Sequence, residues 1–210
     1  MTDLALRDRL LRGIDTLQLT VTEDQVATLL RLADRLVHWS ARVNLTAIRE
    51  PAAVIDRHLL DSLAILPWLN GDRILDIGTG AGFPGLPLAI VCPDRHFALL
   101  DSVGKKIRFV VQMAAELALP NVAGLNERLP AFRTEPPFMT ITARAYARLD
   151  AIIDDCEHIL ADGGRILAMK GQSPDDELAA ISEHWQAELV PLDIPGLDEK
   201  RHLAILERRR

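Results

Sequence analysis

The chain has 210 residues, of which 49% are hydrophobic and 26% charged, and a net charge of −6. That is ordinary for a globular protein with one full core and a smaller appended layer. No apolar run reaches the roughly 18 residues of a transmembrane helix, and Asp3, Arg7, Asp8 and Arg9 break any signal-peptide pattern, so no membrane association is expected.

The first 68 residues read as helical. A short helix is expected over about Leu4 to Ile14, stopped near Gly13. Thr22-Glu23-Asp24-Gln25 is a capping-box pattern. After it Val26, Leu29, Leu30, Ala33, Leu36 and Val37 recur at helical spacing to about Ser40. Asn44-Leu45-Thr46-Ala47 reads as a turn, and a third helix is expected from about Val54 to Leu66, ended by Pro67.

From Arg73 strands alternate with helices, the mark of an α/β sheet. The expected strands are Arg73–Ile77, His96–Leu100, Val122–Leu125, Met139–Thr142 and Arg165–Lys170, with Gly163-Gly164 turning into the fifth. The expected helices are Leu86–Val91, Lys105–Leu117 and Leu149–Leu160. Trp185–Leu192 and His202–Glu207 read as a closing antiparallel hairpin, because the segment joining them is too short for a crossover helix. The division is a helical cap over residues 1–68 and a Rossmann-like domain over 69–210.

The first strand runs into Asp76-Ile77-Gly78-Thr79-Gly80-Ala81-Gly82-Phe83-Pro84-Gly85. Glycines at the carboxyl end of a first strand let the backbone pass close to a nucleotide. The second strand ends in Asp101, whose carboxylate can accept both hydroxyls of a ribose. Together they suggest an adenosine-type cofactor. Asp76 can hold the loop amides or face a cofactor ammonium. Ser102 opens the turn after Asp101, and Lys105 and Lys106 in the next helical turn oppose its dipole, a faint hint of an anionic neighbour. Arg144 follows the fourth strand at the expected crevice, as a substrate or cofactor contact or as a salt-bridge partner of Asp150 or Asp154.

An antiparallel hairpin favours the S-adenosylmethionine-dependent methyltransferases over a dinucleotide dehydrogenase, whose strands stay parallel. Other chemistry is weakly represented. The six histidines share no metal-ligand spacing, so no metal is expected. His58-Leu59-Leu60-Asp61-Ser62 is no convincing catalytic triad, since no nucleophile elbow is present, and reads as a helix-packing or cofactor-lid segment. Glu135-Pro136-Pro137-Phe138 precedes the fourth strand, where an amine-methylating motif would follow it, and reads as a rigid loop. Cys92 and Cys156 lack CxxC spacing and read as core residues in a reducing compartment.

The acidic total hides an uneven distribution. Residues 149–199 hold thirteen acids and two bases, a net of −11, which leaves +5 for the remainder. A polyanion needs only a local basic face, but on charge alone solvated helix faces explain the pattern as well.

Several segments together resemble the bacterial RsmG family, also called GidB: the 16S rRNA guanine-N7 methyltransferases. They are Asn44-Leu45-Thr46, HLLDS at 58–62, the run from Asp76 to Gly85, Leu100-Asp101-Ser102-Val103-Gly104-Lys105-Lys106, Arg144-Ala145-Tyr146-Ala147, Lys170-Gly171 and Glu199-Lys200-Arg201-His202-Leu203. The glycine loop is generic to methyltransferases; HLLDS, GFPG and LLDSxGKK are far more specific. The resemblance implies a class I methyltransferase fold with an N-terminal helical extension. It implies S-adenosylmethionine as cofactor, with Asp76, Gly78, Gly80, Gly82, Phe83, Asp101 and Ser102 around it and Leu129 and Pro130 lining the adenine. Family members often carry an acid where this chain has Pro130, which keeps a carbonyl but has no N–H. Arg144 is implied to lie beside cofactor and substrate as the catalytic candidate. The implied substrate is guanine 527 in the 530 loop of 16S rRNA in the 30S subunit; a cytoplasmic monomer is expected. The alternatives are a nicotinamide-dinucleotide oxidoreductase and a non-catalytic RNA- or partner-binding module on the same fold.

Overall fold

The computed structural model describes residues 2–209. Thr2 caps α1 (Asp3–Thr16). The capping box opens α2 (Glu23–Val43): Gln25 N–H donates to Thr22 Oγ1 at 3.3 Å and Thr22 N–H to Gln25 Oε1 at 2.9 Å. This helix continues past Ser40 until Asn44 takes a left-handed conformation at φ 49°.

The expected third helix is interrupted. α3 (Pro51–Val54) passes into a π-helical turn, Ile55–Leu60, and then into α4 (Asp61–Leu63), followed by a 3₁₀ turn at Leu66–Trp68. A π turn rotates the side chains that follow it, and helical periodicity carries no signal for it. Asp56, His58 and Asp61, three polar residues of this stretch, are all buried.

The remaining elements are β1 (Arg73–Ile77), α5 (Gly85–Val91), β2 (His96–Leu100), α6 (Gly104–Glu116), β3 (Val122–Leu125), β4 (Phe138–Arg144), α7 (Leu149–Cys156), β5 (Leu160–Lys170), α8 (Asp175–Leu178), β6 (Trp185–Leu192) and β7 (Arg201–Arg208). They form one seven-stranded sheet in the order β3-β2-β1-β4-β5-β7-β6. The first five strands are parallel, and β7 lies antiparallel between β5 and β6. Two details depart from the sequence reading. Gly163 and Gly164 lie inside β5, where its pairing with β4 shifts between Phe138 and Thr140, so they form an irregularity in the strand rather than a turn before it. α7 ends at Cys156 and gives way to a 3₁₀ turn at Glu157–Ile159.

Alternation along β1 supplies both cores. Ile74 packs with α1, α2, α5 and α6 on one face, while Leu75 and Ile77 pack with α7 on the other. The N-terminal helices therefore share a core with the sheet. Charged contacts add to it: Arg9 of α1 meets Asp56 through Nε–Oδ1 at 2.7 Å, and Arg57 pairs with Glu199 ahead of β7. Cys156 is buried, whereas Cys92 is only half-buried at the end of α5. Among the described residues no helix is long and apolar enough to cross a membrane, and no three His, Cys, Asp or Glu side chains cluster to hold a metal.

Candidate active site

The strand order turns between β1 and β4, and the carboxyl ends of the strands there open on a crevice, the usual ligand position in such sheets. A cleft of about 650 Å³ lies at this end, bordered by Gly78, Asp101, Ser102, Lys106, Leu129, Pro130 and Tyr146. That volume is in the range of small-molecule sites. Five of those seven residues were read from the sequence as cofactor contacts; Lys106 and Tyr146 were not.

Gly78 must be glycine. Its φ is +59°, and a Cβ there would stand 2.6 Å from Cδ2 of Tyr146. The Tyr146 hydroxyl donates to Asp155 at 3.0 Å, and burial together with that carboxylate pushes the phenol well above its ordinary pKa. It therefore stays neutral beside the glycine turn.

Asp101 is almost fully buried, at 5% exposure, with its carboxylate at the cleft. Oδ1 accepts the Val103 N–H at 2.8 Å; Oδ2 accepts the Gly80 N–H at 3.1 Å and Lys106 Nζ at 3.2 Å. A carboxylate has about four acceptor sites, so the chain itself occupies three. A ribose that placed both hydroxyls on Asp101 would therefore have to displace Lys106. The lysine side chain is 32% exposed, so it has room to withdraw. The anionic neighbour that the helix-opening lysines hinted at is, for Lys106, this internal carboxylate.

Asp76 faces inward. It has no exposed surface; Oδ2 accepts the Thr79 hydroxyl at 2.5 Å and the Gly85 N–H at 3.0 Å, and Oδ1 accepts the Thr142 hydroxyl at 3.0 Å. Burial raises its pKa to about 6 against the pull of these hydrogen bonds. It holds the loop and does not face the cleft. Gly82 and Phe83 are also buried, their N–H groups donating to the Thr79 carbonyl at 3.0 Å within the turn. Their place is inside the turn, not on the cleft wall.

Arg144 points from the end of β4 toward the helical cap. Nη1 donates to the Arg57 carbonyl at 3.1 Å and to Asp61 Oδ2 at 3.2 Å; Nη2 lies 3.2 Å from His58 Nδ1. The guanidinium carbon sits 5.6 Å from the centre of the Phe83 ring, on which His58 also stacks at 4.8 Å. Arg201 Nε approaches Asp61 Oδ1 at 3.4 Å. The partner is therefore Asp61 rather than Asp150 or Asp154; Arg148 takes Asp150 instead, at 3.3 Å. Arg144 does not border the cleft, although Ala145 and Tyr146, the next two residues, do. Burial raises the pKa of Asp61, and the two arginines pull it back. His58 moves the other way, to about 3, through burial and the charges of Arg144 and Arg57.

Comparisons with known proteins identify the family and the fold. Residues 25–204 match the GidB family, described as rRNA small subunit methyltransferase G. The chain belongs to the GidB family. Ribosomal RNA small subunit methyltransferase G of Cronobacter sakazakii is 44% identical over 96% of this chain and 98% of its own length. The protein of the same name from Salmonella arizonae is 42% identical over 95% and 97%. Among solved structures, the O-methyltransferase TomG of Streptomyces achromogenes, in complex with SAM, superposes with a TM-score of 0.63 at 15% identity, over 94% of this chain and 96% of that one. An rRNA methylase from Streptococcus thermophilus gives 0.53 at 15% identity, over 71% and 95%. These structural likenesses show the fold: a class I methyltransferase sheet, mostly parallel with one antiparallel strand. GidB membership sets aside the dinucleotide-oxidoreductase alternative.

Proposed function

We propose that this GidB protein methylates N7 of guanine 527 in the 530 loop of 16S rRNA, within the small ribosomal subunit, using S-adenosylmethionine. The observation that carries the reading is the junction of the cleft with a fixed arginine. Ala145 and Tyr146 border the cleft, and Arg144 beside them is held by the cap.

The cleft fits the cofactor. The missing Cβ at Gly78 keeps its floor open, Asp101 presents a carboxylate for a ribose, and Leu129 and Pro130 offer a wall for an adenine. S-adenosylmethionine supplies, when bound, an electrophilic methyl group on a sulfonium. The chain's own task is placement and exclusion of water. Guanine N7 already has an in-plane lone pair and loses no proton on attack, so the site needs neither a general base nor a covalent nucleophile. Arg144 cannot hydrogen-bond N7 during transfer, because that lone pair is the nucleophile. Its role is to bind guanine O6 or a neighbouring phosphate.

The N-terminal helices, residues 1–68, serve as a cap over the methyltransferase domain, and the enzyme works as a cytoplasmic monomer. The test is transfer of labelled methyl from S-adenosylmethionine to small subunits that lack the native 530-loop N7 methyl group, followed by mapping. Label on guanine 527 supports the reading. Label elsewhere overturns the substrate, and cofactor binding without label on any rRNA overturns the activity.

A further inference from the structure

The HLLDS segment has a use beyond helix packing. His58 touches three separate parts of the molecule: Arg144 at the end of β4, Phe83 in the glycine turn, and Thr46 in the loop after α2. An arginine side chain only donates hydrogen bonds. The 3.2 Å contact between Arg144 Nη2 and His58 Nδ1 therefore requires an unprotonated Nδ1. The proton of the neutral ring then sits on Nε2 and is donated to Thr46 Oγ1 at 3.1 Å, which also accepts the Ile48 N–H at 3.1 Å. His58 is buried, with 8% of the residue exposed, so an unmatched protonation state would be costly there.

We infer that His58 is a positioning residue for Arg144: the π-helical turn of the cap delivers a neutral imidazole whose Nδ1 fixes the guanidinium and aims its remaining donors at the RNA. This rests on the reading of Arg144 as a substrate contact. Of the five guanidinium N–H groups, the Arg57 carbonyl and Asp61 take two and His58 takes one, which leaves the Nε–H and one Nη2–H for a base edge or a phosphate. The choice of acceptor matters. Asp61 is already shared between Arg144 and Arg201. A second carboxylate would hold Arg144 as firmly but cancel the charge that an anionic RNA needs. An uncharged acceptor orients the cation and leaves its charge intact. Burial and the nearby Arg144 and Arg57 charges keep the ring neutral.

The experiment uses the full chain and three forms: wild type, His58→Phe and His58→Asn. Phe keeps an aromatic ring against Phe83 but has no acceptor; Asn places a carbonyl oxygen close to the Nδ1 position. In wild type, ¹⁵N NMR should show the Nε2–H tautomer across about pH 5 to 8, and the Arg144 Nη signals should be resolved by hindered rotation. In His58→Phe those Nη signals should average. Its kcat for methyl transfer to the unmethylated small subunit should fall about 10- to 100-fold. Its affinity for S-adenosylmethionine should stay within about threefold, since the ring is outside the Asp101 cleft. His58→Asn should recover several-fold of the lost kcat. An Nδ1–H tautomer overturns the inference. So does a Phe variant with wild-type kcat, or an Asn variant no better than Phe. A wild type with the stated tautomer that methylates no rRNA would instead overturn the functional reading beneath it.

Discussion

Asp76 Oδ2 accepts the Gly85 N–H at 3.0 Å, which ties the end of β1 to the first residue of α5 and closes the glycine turn from the inside. The fit is tight: a Cβ on Gly85 would stand 2.9 Å from that same oxygen and 2.7 Å from Leu99 Cγ. Asp76→Ala leaves one buried N–H and two threonine hydroxyls without their acceptor. It should cost about 3–5 kcal/mol of stability, read as a lowered urea midpoint. Asp76→Asn keeps an acceptor and removes the titration. In wild type the native pKa of about 6 exceeds the unfolded value of 3.8, so stability is lost as pH rises between them. The Asn variant should gain on wild type by about 3 kcal/mol from below that window to above it. Parallel stability curves for the two proteins would refute the buried-carboxylate account.

Gly78→Ala tests the floor of the cleft. The new methyl would strike the Tyr146 ring at 2.6 Å, in a backbone conformation at φ +59° that disfavours L residues. A loss of about 1–3 kcal/mol is expected, together with weakened binding of S-adenosylmethionine. Adding Tyr146→Ala should restore the part due to the clash and leave the part due to backbone strain. If the double variant is no more stable than Gly78→Ala alone, the clash is not the cause.

Much of this was legible from residue types and spacing. β1, β2 and β6 end where apolar runs meet glycine or an acid, and β3 where one meets Asn126, because those residues punctuate strands for local reasons. The cleft residues Gly78, Asp101 and Ser102 follow from their places at strand ends, whereas Leu129 and Pro130, in a 3₁₀ turn beyond β3, came only with the family resemblance. What escaped was direction. Nothing local says that Asp76 points into the core or that Asp101 is engaged by Lys106 five residues on. Asp61 lies 83 residues before Arg144, and only the packing of cap on sheet brings the two together. The π turn that exposes His58 and Asp61 to that partner is a slip in hydrogen-bond register, to which apolar periodicity is blind.

Arg144→Ala should abolish most methyl transfer, by at least about 100-fold if its contact is made in the transition state, while binding of S-adenosylmethionine stays close to wild type. RNA affinity should fall as well, and its salt dependence should become shallower. Unchanged methyl transfer together with unchanged RNA binding would remove Arg144 from the substrate site.

His58 gives the protein an acid-sensitive element. Its native pKa of about 3 lies below the unfolded value of 6.5, so its contribution is complete above 6.5 and is lost as pH falls toward 3. Within that window unfolding takes up one proton at this site, which steepens the stability curve by about 1.4 kcal/mol per pH unit. In His58→Phe the curve between about pH 6 and 4 should be shallower by up to that amount. Urea titrations at a series of pH values measure it directly. Equal slopes would mean that the native ring takes up its proton as readily as the unfolded one.

Lys106 and Asp101 should respond in opposite ways to substitution. Asp101→Asn replaces an acceptor by a donor in a site where two backbone N–H groups already converge, so binding of S-adenosylmethionine should weaken about 10- to 100-fold. Lys106 reaches the buried Asp101 carboxylate at 3.2 Å from a partly exposed position, and two backbone N–H groups hold the same carboxylate without it. Lys106→Met should therefore leave binding within about fivefold of wild type, or strengthen it, because a ribose hydroxyl no longer has to displace the ammonium. Isothermal titration of both variants separates two arrangements. A tenfold loss in Lys106→Met would make the ammonium a contact of the cofactor rather than its competitor at Asp101.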